Sequence, residues 1–155
     1  MYSYTNILIK YLKDINPTNV MEWGPGKSTR IILDNIAEHS RLLSVEHDPK
    51  YYNKHLSDIK DHRWNIILKS ITNRVSQYAL ICNTIKPIDL AFIDGRRRVE
   101  CSIAAMLNLS DNGVCILHDA SRKSYTDLLY PIIDVIEYKD DTLVFRKANH
   151  LVVNG

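Results

Sequence analysis

The stretch VMEWGPGKST (20–29) decides the fold, because it changes character twice within a short span. Val20 to Trp23 read as a short buried strand, the residues from Ser28 onward open a helical pattern, and Gly24 and Gly26 stand between them. Glycine has no Cβ and reaches positive φ, so this passage lets backbone come close to a ligand. The helix that follows offers unpaired N–H groups to an anionic or polar ligand, and Ser28 and Thr29 suit its first turn.

Working outward, the same change repeats. Apolar runs at RLLSVE (41–46), WNIILK (64–69), IDLAFID (88–94) and GVCILHD (113–119) have strand length. Segments of helical spacing separate them at 28–38, 49–60, 71–82 and 97–109, the last placing Ile103, Met106, Leu107 and Leu109 on one inward face. Such alternation predicts a doubly wound α/β fold, a mostly parallel sheet with helices on both faces, because crossovers between parallel strands are right-handed. Residues 3–14 form an amphipathic helix ended by Asn16 and Pro17, and a short helix is expected at 123–130. PIIDVIEY (131–138) and TLVFRK (142–147), joined by the turn at Lys139 to Asp141, add a C-terminal antiparallel hairpin and bring the sheet to seven strands. The tail after Ala148 is expected to fray. With no repeat and no Pro/Gly-rich linker, 1–155 reads as a single domain.

Composition narrows the function classes. At 45% hydrophobic, the chain has enough apolar material for a continuous core, and a net charge of +2 gives no general reason to expect nucleic acid. No apolar run approaches the roughly 18 to 20 residues that span a bilayer, and the N-terminus has no leader pattern, so the expected location is cytoplasmic, with no membrane partner. Cys82, Cys101 and Cys115 are odd in number and set among apolar residues, which reads as buried free thiols. The histidines outside the 92–125 stretch show no zinc spacing.

The second strand ends in Glu46, at a distance from the glycine turn that suits a carboxylate meeting a ribose diol. With that acid in place, the E-x-G-x-G-x-S pattern from Glu22 to Ser28 and the aspartate ending strand four resemble the class I, Rossmann-like S-adenosylmethionine-dependent methyltransferases. The resemblance implies S-adenosylmethionine as cofactor. It places Glu22, Gly24 and Gly26 about the methionine part, Glu46 at the ribose, and His47 and Ser70 at the adenine, with Trp23, Pro25, Ser28, Thr29, Asp94 and Gly95 completing the set. Ser28 stands where many members have a third glycine.

The run FIDGRRRVECSIAAMLNLSDNGVCILHDASRKSY (92–125) resembles a subset of that family with a DGRxR...HD pattern. Asp94 and the pair His118–Asp119 end adjacent parallel strands, and open α/β sheets bind ligands at those carboxyl ends, so the three are the candidate catalytic residues. His118 or Asp94 would take the proton of an acceptor. Asp94 and Asp119 also resemble the two aspartates that hold a divalent cation in catechol-type O-methyltransferases, but the family's asparagine position is Ala120, so a metal is the lesser expectation. Arginines at a helix start oppose its dipole and ask for an anionic partner, which makes Arg96 and Arg98, with Arg122 and Tyr125 beyond the HD, candidate acceptor-binding residues. The implied acceptor is a small molecule or glycan-type compound methylated on oxygen, and a symmetric homo-oligomer would supply further walls to so short a chain.

Two other functions compete. Gly26, Lys27 and Ser28 reproduce the end of a P-loop, though its first glycine would have to be Met21. The same pocket could also serve a non-catalytic binder or an enzyme that cleaves the cofactor.

Overall fold

The computed structural model describes residues 2–72 and 77–149. Its elements run α1 (Thr5–Ile15), β1 (Asn19–Trp23), α2 (Lys27–Asn35), β2 (Arg41–Glu46), α3 (Pro49–Asp58), β3 (Trp64–Leu68), α4 (Gln77–Leu80), β4 (Ile88–Ile93), α5 (Arg98–Met106), β5 (Leu109–His118), α6 (Lys123–Leu129), β6 (Ile133–Lys139) and β7 (Thr142–Lys147). They build one seven-stranded sheet in the order β3-β2-β1-β4-β5-β7-β6. The first five strands are parallel, while β7 pairs antiparallel with both β5 and β6. This is the expected doubly wound architecture with its terminal hairpin, and β7 inserts between β5 and β6.

Strand periodicity sorts the core into two layers. Val20, Leu42, Leu90, Phe92, Val114 and Ile116 face α1 and α2, packing on Ile7, Leu8, Leu12, Ile32 and Leu33. Met21, Trp23, Val45, Ala91, Ile93, Cys115 and Leu117 face the other way, onto Cys82, Cys101, Ala105 and Leu129. The three cysteines are free and buried, as expected. Among the described residues no helix is long and apolar enough to cross a membrane.

The helix expected over 97–109 ends early. α5 stops at Met106, Leu107 is 62% exposed, and Leu109 opens β5 opposite Ile88. Asn108 explains the stop, because its side-chain amide donates to the Ala104 carbonyl while its own carbonyl accepts the Ile88 N–H. Of the helix expected over 71–82, residues 73–76 lie outside the described residues; 77–80 are α-helical and Ile81–Thr84 form a 3-10 turn. The tail expected to fray also lies outside them beyond Asn149.

Candidate active site

The strand order reverses between β2-β1 and β4-β5, and ligands in open α/β sheets bind in the crevice at such a switch point. Trp23 ends β1 and Ile93 ends β4 side by side. Gly24 has φ +82, and a Cβ there would lie 2.7 Å from Gly95 Cα, so both strand ends need glycine where they touch. At Gly26, by contrast, a Cβ would meet nothing within 4 Å: the turn faces open space.

Glu22 shares its strand face with Val20 and therefore points under the start of α2. It is fully buried, and three hydroxyls donate to it: Ser28 at 2.6 Å, Thr29 at 2.8 Å and Ser44, its register partner on β2, at 2.5 Å. The Trp64 indole N–H supports Ser44 in turn at 2.9 Å, and Thr29 Oγ1 accepts the Gly26 N–H at 3.0 Å. Burial outweighs these donors and raises the Glu22 carboxyl to about 7. Glu22 thus locks the glycine turn to α2 and β2 with its oxygens already engaged.

Glu46 at the end of β2 is also buried, yet among the described residues only its Oε1 is engaged. It accepts the His47 and Asp48 N–H groups at 2.7 and 2.9 Å, with His47 Nδ1 at 2.8 Å. Among the described residues no hydrogen bond reaches Oε2, and the Glu46 strand end adjoins the glycine turn, whose Gly24 N–H bonds Val45 O. An acceptor oxygen free for a ligand's hydroxyls and an open space before Gly26 fit a nucleoside-bearing cofactor at this edge.

The β4 and β5 ends carry the second cluster. His118 Nδ1 lies 2.9 Å from Asp94 Oδ1, and its Nε2 lies 3.0 Å from the Ser3 hydroxyl. The aspartate bond raises the His118 pKa. Beneath them Arg98, on the buried face of α5, donates to Gly95 O, His118 O and Asp94 O and pairs with Asp94 at 3.1 Å and Asp119 at 3.0 Å. Three of the guanidinium's N–H groups are thus spent on backbone carbonyls, while its charge faces both carboxylates. Arg98, expected at the acceptor, is therefore a clamp across two strand ends. Asp119, in the left-handed region at φ 54, also pairs with Arg122 at 3.2 Å.

The remaining expected residues scatter more. The Trp23 indole is wholly buried and donates to Tyr78 O at 2.8 Å, Pro25 is buried, and Ser70 is exposed and bonded to Thr72. His47 packs edge-on to Tyr78. Arg96 is exposed, its backbone N–H donating to the Tyr78 hydroxyl, and Tyr125 sits between the Arg98 and Arg122 guanidiniums. Ser3, Tyr4, Ser44 and Tyr78 were missed in the sequence. A polar Ser44 two places before Glu46 on an otherwise apolar strand was a readable signal; the other three are brought in by long-range packing.

Asp94, His118 and Asp119 offer ligand atoms within 4.8 Å of one another. Arg98 and Arg122 already neutralise both carboxylates, and the Ala120 side chain supplies no oxygen, so a divalent cation fits poorly. The P-loop alternative fails on geometry: Ser28 turns its hydroxyl inward to Glu22, and Lys27 lies over the Tyr2 ring at 4.6 Å instead of reaching across the turn.

Known structures share this architecture. A methyltransferase-like protein from Silicibacter pomeroyi is similar with TM-score 0.73 at 18% identity, covering 94% of this chain and 84% of that one. An O-methyltransferase from Bacillus cereus, in complex with SAH, gives TM-score 0.73 at 14% identity over 91% and 78%. The O-methyltransferase TomG from Streptomyces achromogenes, in complex with SAM, gives 0.67 at 12% over 91% and 76%. No curated protein matches in sequence. A family model described as a methyltransferase domain matches residues 21–120, from β1 through the end of β5 and including both clusters, and the chain belongs to that methyltransferase family.

Proposed function

We propose that the protein is an S-adenosylmethionine-dependent O-methyltransferase acting on a small hydroxylated acceptor without a metal. The observation that carries this reading is the Asp94–His118 pair at 2.9 Å, set beside the glycine turn at the switch point. Glu46 Oε2 would accept the ribose hydroxyls, with Gly24 and Gly26 lining the methionine part and Gly95 closing the opposite wall. When bound, the cofactor supplies a sulfonium-activated methyl group to an in-line attack. The protein's work is then to position the acceptor and remove its proton.

Asp94 accepts from His118 Nδ1–H, which leaves Nε2 of the neutral ring as the acceptor of an incoming hydroxyl proton. Arg98 balances the Asp94 and Asp119 charges and fixes the carboxylates in place. Arg96 and Arg122, both exposed, stand at the rim, where they would meet an anionic group on the acceptor. The test is a screen of hydroxylated small molecules and short glycans with deuteromethyl-labelled cofactor, read as labelled product by mass spectrometry. His118→Ala should lower turnover by about 10²-fold or more, the range of a positioned general base. Turnover unchanged in that variant would reject the role given to His118.

A further inference from the structure

Residues 2–4 pass over the β4 and β5 ends and make a connected set of contacts there. Tyr2 stacks on Tyr4 at 5.6 Å and receives Lys27 from the glycine turn. Tyr4 is buried between Phe92, at 5.0 Å, and the edge of the His118 ring, at 4.9 Å. Ser3, exposed, sets its hydroxyl 3.0 Å from His118 Nε2. That nitrogen is the one a base at this position would turn to an acceptor. With Nδ1–H held by Asp94, the neutral ring can only accept at Nε2, so its partner must be a donor, and Ser3 O–H supplies one.

We infer that the Ser3 hydroxyl holds the place of the acceptor's hydroxyl, and that residues 2–3 are a strap which the acceptor displaces, with Tyr4 remaining as the wall that sets acceptor shape. The inference rests on the methyl-transfer reading given above. It specifies the acceptor as an alcohol or phenol whose reacting O–H can reach a nitrogen flanked by an aromatic edge. In the transfer, the acceptor oxygen forms the new O–CH3 bond, the S–CH3 bond breaks with its electron pair passing to sulfur, and the hydroxyl proton goes to His118 Nε2. Anchored by the buried Tyr4, the strap opens by releasing the Ser3–His118 hydrogen bond together with the exposed Tyr2 contacts to Tyr4 and Lys27.

Two measurements on the full chain test this. Diethyl pyrocarbonate acylates an accessible neutral imidazole nitrogen; peptide mapping should show His118 modified about five- to tenfold faster in Ser3→Ala than in wild type, the equivalent of one lost hydrogen bond. His47 and His62 serve as internal standards whose rates stay equal. Equal His118 rates in both proteins would overturn the strap. The second measurement supplies phenol as acceptor to wild type and Ser3→Gly with the cofactor saturating by calorimetry. S-adenosylhomocysteine should be released several-fold faster by Ser3→Gly, in which the hydroxyl's place is vacant. Equal release with cofactor bound would overturn the acceptor assignment while leaving the methyltransferase reading intact, whereas absence of cofactor binding would remove both.

Discussion

Two regions at the carboxyl edge of the sheet each bury a glutamate, and the two treat it differently. At the end of β1, Glu22 is fully buried and receives Ser28, Thr29 and Ser44. At the end of β2, Glu46 is held by backbone N–H groups on one oxygen, leaving the other without a partner among the described residues. Neighbouring strands thus carry the same side chain as a structural tie and as an open acceptor. Glu22, with donors on both oxygens, ties its neighbours together, while under the proposed function the unmatched oxygen of Glu46 is the one that would accept from a ligand.

The largest effect should come from removing the tie. Glu22→Ala empties a buried site and orphans three hydroxyls, and should destabilise the fold by about 3 kcal/mol in denaturant unfolding. Glu22→Gln keeps an acceptor oxygen and should cost about 1 kcal/mol. The pH dependence sharpens the same point. Because the folded Glu22 pKa is raised from 4.5 to about 7, its contribution is greatest below 4.5 and falls as pH climbs towards 7. Glu22→Gln should lose that fall, seen as a flatter Tm profile across that window; an unchanged profile would mean that Glu22 stays ionised in the fold.

Arg98→Ala comes next. It leaves Asp94 and Asp119 facing each other without their shared cation, and should cost about 2 kcal/mol together with most activity. His118 predicts a smaller stability effect with opposite consequences for folding and catalysis. Its raised pKa means that the imidazolium's contribution to stability is complete below about 6.5 and is lost as pH rises through the folded value. With His118 as the proposed base, methyl transfer would need the neutral ring and should therefore rise over that same upper range, with a midpoint above the ordinary histidine value. A rate flat across neutral pH would remove His118 as base. At the small end, Arg122→Ala should leave stability nearly unchanged, since the side chain is largely exposed, while raising KM for an anionic acceptor.

The strand–turn–helix part of the candidate site was legible because it is local in sequence. Strand, Gly24, Gly26 and helix follow one another within a few residues, and Glu46 lies one crossover away. The parallel core and the terminal hairpin were legible from periodicity for the same reason. The Asp94–His118 cluster is assembled from segments far apart: Ser3 reaches His118, and β7 slips between β5 and β6, which no local pattern encodes. Arg98 is intermediate. Its helical phase with Cys101, Ser102 and Ala105 marks it as inward-facing, but three consecutive arginines do not show which one turns inward until the backbone turn at Arg97, φ 48, separates them.

The difference between the two glutamates is tested most directly by calorimetric titration of S-adenosylmethionine into wild type, Glu46→Ala and an ATP–magnesium control. Micromolar binding in wild type, weakened tenfold or more in a stably folded Glu46→Ala and absent for ATP, is the expected result. Equal affinity in wild type and variant, or binding of ATP alone, would contradict the assignment of Glu46 as the open acceptor of the cofactor site.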